Sequence, residues 1–188
     1  MYHGQLGDST FWSVLLRFDE DLAARARVAP CPFCGARLDR SDYPRKPRGG
    51  PEGLGPAHRI RFSFCCSAEG CRRRVTPPSV RFFGRRVYLG AVFLVLSDAM
   101  RGGLTRSLAR RLRIEFGIDR RTLVRWRAWW RDAFPESSFW RVAAGRLVPR
   151  PAVSELPSSL LLRFLGEASA RLAGCLSFLA PLTTGASM

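Results

Sequence analysis

Lysine is almost missing from this chain: Lys46 stands alone, although lysine and arginine together number 31. Acid is scarce too, with 15 aspartates and glutamates, leaving a net charge of +16 and a pI near 11.3. A balance so far from neutral argues against an ordinary soluble enzyme. It calls for a polyanionic partner, nucleic acid ahead of an anionic membrane surface. The preference for arginine over lysine proves nothing by itself, because a GC-rich genome produces it. Long apolar runs are also lacking. The longest, Ala91 to Leu96, is far too short to span a bilayer, and Leu160–Leu162 is interrupted by Arg163. The opening MYHGQLGDST has neither a basic nor an apolar signal region, so a cytoplasmic, nucleoid-associated setting without a membrane partner is expected. Histidine is limited to His3 and His58, too far apart and too far from any nucleophile to argue for hydrolysis.

What the chain does have is enough apolar content, 46% of 188 residues, to bury the core of one or two small domains. It also has six cysteines, which in a reducing compartment suggest metal before disulfides. Cys31-Pro-Phe-Cys34-Gly35 is half of a tetrahedral zinc site, with Gly35 easing the turn. Cys66 and Cys71, a C-x4-C pair, supply the other half; Cys65 would make a wider C-x5-C and points to the other side of its strand. Scattered buried cysteines or a Cys65–Cys66 redox pair are the alternatives. Four thiolates leave no position open for water, so a structural Zn2+ is the expected cofactor. Cys175, alone in a leucine-rich segment, reads as core, and His58 reads as an exposed loop residue.

In chain order, Asp8, Ser9 or Thr10 caps a helix over about Phe11–Arg27, in which Asp19, Glu20 and Asp21 form an acidic cluster. Three consecutive carboxylates cannot face one ion on a helix, so a solvated face or a patch pairing with arginines is expected. The alternating Arg59–Phe64 reads as a strand carrying the second knuckle, and Arg72–Thr76 as one leaving it. Between the knuckles, Tyr43–Pro56 is a Pro/Gly-rich loop with Arg45, Lys46 and Arg48. It is either a basic arm toward nucleic acid or a plain insertion. Arg81, Arg85 and Arg86 lead into an apolar helix over about Val87–Met100, closed by Gly102-Gly103 and buried by its all-round apolarity.

Leu104–Phe134 is the stretch on which function rests. Thr105 caps a helix whose Leu108, Leu112 and Phe116 face inward while Arg106, Arg110, Arg111 and Arg113 face out. Gly117 stops it, and Asp119 is expected to cap the next helix by accepting from the amide of Arg121 or Thr122. At 100° per residue Leu123, Trp126, Trp130 and Phe134 share one face. Arg121, Arg125 and Ala128 lie opposite, with Arg120 and Val124 beside them. Guanidinium forks can grip guanine O6 and N7 or two phosphate oxygens. The bland alternative is an amphipathic helix with a solvated basic face. With the preceding apolar helix these segments make a three-helix unit.

A CPxCG knuckle, a second cysteine pair followed by Arg72-Arg73-Arg74, then Leu108-Ala109-x-x-Leu112 and Thr122-Leu123-x-Arg125-Trp126 together resemble the N-terminal DNA-binding region of bacterial insertion-sequence transposases. The resemblance covers about residues 31–134. The C-x4-C pair is wider than the usual C-x2-C, and the turn after Leu112 is stretched by about four residues, Arg113–Phe116. The resemblance implies a zinc ribbon and a helix-turn-helix on double-stranded DNA. Base contacts are expected from Arg120, Arg121, Thr122 and Arg125, and phosphate contacts from Arg110, Arg111, Arg127 and Arg131, with Arg72, Arg73 and Arg74 adding to the basic surface. Such transposases cut DNA with carboxylates on a ribonuclease-H-like sheet. Only Glu136, Glu155 and Glu167 follow Phe134 here, so a catalytic half is not expected.

The expected fold is thus mainly α with a small β zinc ribbon. Residues 1–30 form an N-terminal helix, 31–80 the ribbon with its basic loop, 81–148 the helix-turn-helix unit, and 149–188 leucine-rich C-terminal helices. Those last helices cover the core or form a homodimer contact. A separate transposase subunit is a second possible partner. An RNA- or ribosome-associated zinc ribbon, or a nuclease with an unrecognised active site, are the rival functions.

Overall fold

A computed structural model describes residues 2–83 and 87–184; Arg85 and Arg86 lie outside the described residues. About 53% of the chain is helical, beside small antiparallel sheets, as the mainly-α reading expected. The packing divides into two compact units. One comprises Gly4–Gly90 and the chain from Leu176 onward; the other comprises Ala91–Cys175 with residues 2–3.

A short α1 (His3–Leu6), which belongs to the first unit from Gly4, precedes α2 (Ser9–Val28) of that unit. Asp8 starts α2 by accepting the Thr10 amide at 2.8 Å, a cap worth about 1 kcal/mol. Phe11, Trp12, Leu15, Asp19 and Ala23 form its buried side, so an acid occupies the inward stripe. The Trp12 indole N–H donates to the Leu6 carbonyl at 3.0 Å and fixes the turn between the helices.

Five short strands follow: β1 (Leu38–Arg40), β2 (Tyr43–Pro44), β3 (Ile60–Arg61), β4 (Phe64–Cys66) and β5 (Arg74–Val75). One sheet has the order β1-β4-β5 and the other pairs β2 with β3, all antiparallel. The single strand expected over Arg59–Phe64 is therefore two, serving different sheets. The break falls at Phe62-Ser63, where the Ser63 amide donates to Asp42 Oδ1 at 3.0 Å and the Ser63 carbonyl accepts from the Ser41 amide at 2.8 Å. The leaving strand is shorter than Arg72–Thr76 because Arg72 is left-handed, at φ 46°. Ala23, Leu38, Phe62 and Phe64 close a small core together with Cys31 and Cys66.

The basic loop is neither a free arm nor a loose insertion at its centre. The Arg48 amide donates to the Val87 carbonyl at 2.9 Å and its carbonyl accepts from the Leu89 amide at 3.2 Å. Those bonds also explain why the apolar helix starts later than expected, as α3 (Gly90–Ala99): Tyr88 and Leu89 are held extended in bridges.

Asp19 is the first unit's buried anchor. Its carboxylate accepts from Ser79 Oγ at 2.6 Å, the Val80 amide at 2.7 Å and Arg81 Nε at 2.8 Å. Arg81 also donates from Nη1 and Nη2 to the Ala57 and Ile60 carbonyls at 3.2 and 3.0 Å. Glu20 and Asp21 stay exposed, so the acidic run divides between a buried partner and solvent.

In the second unit α3 is buried along Ala91–Ser97, as its composition required. Next come α4 (Arg106–Phe116) and α5 (Arg120–Ala128), which continues as a π-helical turn over Trp129–Ala133. Phe93 on α3 is the hub: its ring lies 5.6 Å from Trp130, stacked at 13°, and 5.2 Å edge-on from Trp126. Trp130, Phe134 and Trp140 extend this cluster at centroid spacings of 4.9 Å, geometry that aromatic quadrupoles favour. Beyond it lie α6 (Ser138–Ala143), α7 (Ser158–Leu161) and α8 (Ala168–Leu179), the last two separated by Gly166 at φ 94°. No helix among the described residues is long and apolar enough to cross a membrane.

Candidate metal centre and basic cleft

Cys31, Cys34, Cys66 and Cys71 converge, with all four Sγ atoms within 4.8 Å of one another. Cys34 and Cys66 are 3.3 Å apart and Cys31 and Cys71 are 3.9 Å apart. A tetrahedron of sulfurs at 2.3 Å from a zinc ion has edges of about 3.8 Å, so this set fits such an ion. All six cysteines are free thiols. Cys65 faces away and donates to the Arg72 carbonyl at 3.3 Å, which makes Cys66 the member of that pair in the cluster. Cys175 is buried, and burial pushes its thiol well up.

The two knuckles are built alike. Gly35 donates its amide to the Cys31 carbonyl at 2.8 Å, and Cys71 and Arg72 donate theirs to the Ala68 carbonyl at 3.0 Å. In both, the residue after the second cysteine is left-handed, Gly35 at φ 77° and Arg72 at φ 46°. Arg73 joins them, its guanidinium carbon 4.6 Å from the Phe33 ring centroid. Burial pushes the Cys31 thiol up, but amide hydrogen bonds from Phe33 and Cys34, aided by the Cys66 and Cys34 thiols, bring it down to about 7. Burial pushes Cys66 up to about 12 against the Ala68 amide. Cys71 is drawn down by the Arg73 amide, yet burial and the Cys34 thiol leave it raised.

In the second unit α4 and α5 flank an open cleft of about 610 Å³. Thr105 caps α4 through the Leu108 amide at 3.2 Å, and Gly117 ends it left-handed at φ 64°. Asp119 does occupy the start of α5 but makes no side-chain cap. Its carboxylate lies 3.9 Å from Arg113 Nε instead, and the Thr122 amide goes to the Asp119 carbonyl at 2.9 Å. Leu123, Trp126, Trp130 and Phe134 are all buried, as the helical spacing required. Leu112 is buried too, whereas Leu108 and Phe116 are half-buried, the latter stacked 6.0 Å from His3.

The expected contact residues separate into groups. Arg110, Arg120, Arg121, Thr122 and Arg125 line the cleft together with Arg106 and Arg113, and Ala109 gives it a low floor. Arg125 donates to Thr122 Oγ1 at 3.2 Å. Arg127 and Arg131 border a different cavity, and Arg131 donates from Nε and Nη2 to Asp132 at 2.7 and 2.8 Å. That hydrogen-bonded pair raises Arg131 and lowers Asp132. Arg111 is exposed and lines neither. Arg72, Arg73 and Arg74 belong to the first unit, where Arg74 folds back onto the Ser41 carbonyl and Ser63 Oγ at 2.8 and 2.9 Å. Arg106 and Arg113 were not among the expected contacts. Their spacing from Arg110, four and three residues along one helix, carries the signal.

Comparisons with protein-family models, curated proteins and solved structures find no significant match.

Proposed function

We propose that this chain binds double-stranded DNA through the α4–α5 cleft, with α4 and α5 acting as a helix-turn-helix and α5 entering the major groove. Arg120, Arg121, Thr122 and Arg125 read base edges, while Arg106, Arg110 and Arg113 take phosphates. The observation that carries this reading is the charge of one concave surface: six arginines and a single acid, Asp119, line the cleft. Asp119, 3.9 Å from Arg113, offsets one of these charges; the others repel one another, and a polyanion relieves that repulsion. The buried tryptophan ridge supports the same reading, since it anchors α5 from behind and leaves the guanidiniums outside.

Zinc on Cys31, Cys34, Cys66 and Cys71 has a structural role, because four thiolates leave no open position for a reacting water. With the motif resemblance, a transposon-associated role follows: an accessory protein, a regulator, or part of a transposase. Direct competition tests the substrate class. A labelled random-sequence duplex pool bound to the protein should be displaced by unlabelled duplex DNA well before structured RNA. The reverse order would move the proposal to an RNA-binding ribbon.

A further inference from the structure

The two knuckles of the first unit meet at an aromatic ring. Phe33 lies between the ligands Cys31 and Cys34, and its amide donates to the Cys31 sulfur, so the cysteine cluster fixes its backbone. The residue is nonetheless 54% exposed. Arg73 of the second knuckle covers one face of the ring, its guanidinium carbon 4.6 Å from the centroid. No other ring among the described residues packs against Phe33. An exposed phenyl ring on a rigid support, backed by a guanidinium, is a stacking platform.

The charge beside the ring narrows what stacks there. From Cys66 to Arg74 the second knuckle carries Arg72, Arg73 and Arg74 against one acid, Glu69. Arg74 folds back onto Ser41 and Ser63, but Arg72 and Arg73 are exposed, and neither pairs with an acid of the described residues. An aromatic face accepts any nucleobase, and free guanidiniums next to it suit the phosphates of the same strand. A base inside a duplex already has both faces covered by its neighbours, so only an unpaired base can use this ring. We infer that the ribbon carries a second nucleic-acid site, separate from the α4–α5 cleft, for a single-stranded segment. An unpaired base stacks on Phe33 opposite Arg73, and Arg72 takes an adjoining phosphate.

The test uses the metal-loaded full chain and fluorescence anisotropy with three probes of one length: oligothymidylate, oligouridylate and an abasic deoxyribose-phosphate strand. Phe33→Leu keeps an apolar side chain on the knuckle, so metal content should stay unchanged, but it removes the stacking face. It should weaken oligothymidylate binding by about tenfold and leave the abasic strand, which has phosphates without bases, unaffected. Phe33→Trp should bind oligothymidylate at least as tightly as the native chain. An equal loss with oligouridylate assigns the site to single strands of either sugar, and a loss with thymidylate alone assigns it to DNA. Duplex affinity should not change in Phe33→Leu, which keeps this outcome independent of the cleft. Native oligothymidylate affinity in Phe33→Leu, or an equal loss on the abasic strand, would overturn the site.

Discussion

Asp19 and Arg81 form an ion pair at 2.8 Å with both side chains only 1% exposed, 62 residues apart in sequence. The Arg81 guanidinium also donates to the Ala57 and Ile60 carbonyls, and its carbon lies 5.3 and 5.0 Å from the ring centroids of Phe62 and Phe82. Breaking such a pair on one side is worse than removing both partners, because a lone charge stays buried. Asp19→Ala should therefore cost about 3–5 kcal/mol. The double variant Asp19→Ala/Arg81→Met should recover part of that loss. Urea unfolding midpoints of the two variants check the order, and a double variant no better than the single would refute it.

The knuckles offer a backbone prediction. Arg72 holds a left-handed conformation that glycine adopts freely, at a cost of about 1–2 kcal/mol for a residue with a Cβ. Arg72→Gly should stabilise the first unit by about 1 kcal/mol, and Gly35→Ala should destabilise it by a similar amount. Opposite signs in denaturant titrations of the metal-loaded protein are the expected result.

Metal content should follow the four sulfurs. Purified protein should carry one zinc per chain, and Cys31→Ser should lose it. Cys65→Ser should keep it, since that thiol faces Arg72 and lies outside the cluster. Elemental analysis separates these cases, and zinc lost from Cys65→Ser or retained in Cys31→Ser would contradict the ligand set. Hydrogen exchange should quicken in 31–75 when a chelator strips the ion, because binding energy at such sites is folding energy.

Acid should weaken the first unit through His58. Burial, then the charge of Arg81, hold this imidazole below its ordinary value, against a smaller pull from Glu20. The unfolded chain titrates near pH 6.5, so below about that pH it binds the proton more readily than the folded chain does. The stabilisation is complete above that pH and declines as pH falls toward the lowered folded value. His58→Gln should show a smaller loss of stability than the native chain between pH 7.5 and pH 5.5; equal losses would remove His58 from the account.

Much of the helical half could be read from local pattern. The inward set Leu112, Leu123, Trp126, Trp130 and Phe134, the Thr105 cap and the Gly117 stop all follow from spacing and terminal chemistry within one turn. The cysteine cluster was legible for a related reason: knuckle spacing is short-range, and only Cys66 over Cys65 needed a choice. Pairings across long separations were not legible. Helical spacing from Trp12 and Leu15 puts Asp19, unlike Glu20 and Asp21, on the inward stripe, but its partner Arg81 lies beyond the ribbon. Arg61 sits in an alternating segment, but the fold buries it and gives its Nη2 to the Pro77 carbonyl at 2.6 Å. Asp119 stands at the expected start of α5, but its carboxylate makes no cap hydrogen bond and lies 3.9 Å from Arg113 Nε.

DNA affinity should sort the arginines by their surroundings. Arg121→Ala and Arg125→Ala should each cost about 1–3 kcal/mol on a selected site and relax its sequence preference. Arg131→Ala should cost much less, because Asp132 already occupies that guanidinium. Fluorescence anisotropy on the selected duplex ranks them; an Arg131 effect as large as that of Arg121 would reverse the assignment.

The salt dependence of duplex binding addresses the central claim most directly. Were the three phosphate-directed arginines of the cleft, Arg106, Arg110 and Arg113, to neutralise three phosphates, log affinity would fall with log salt at a slope of about −3. Removing two of them in Arg110→Ala/Arg113→Ala should flatten that slope by about 2. A native slope near zero, or one unchanged in the double variant, would contradict DNA binding through this cleft.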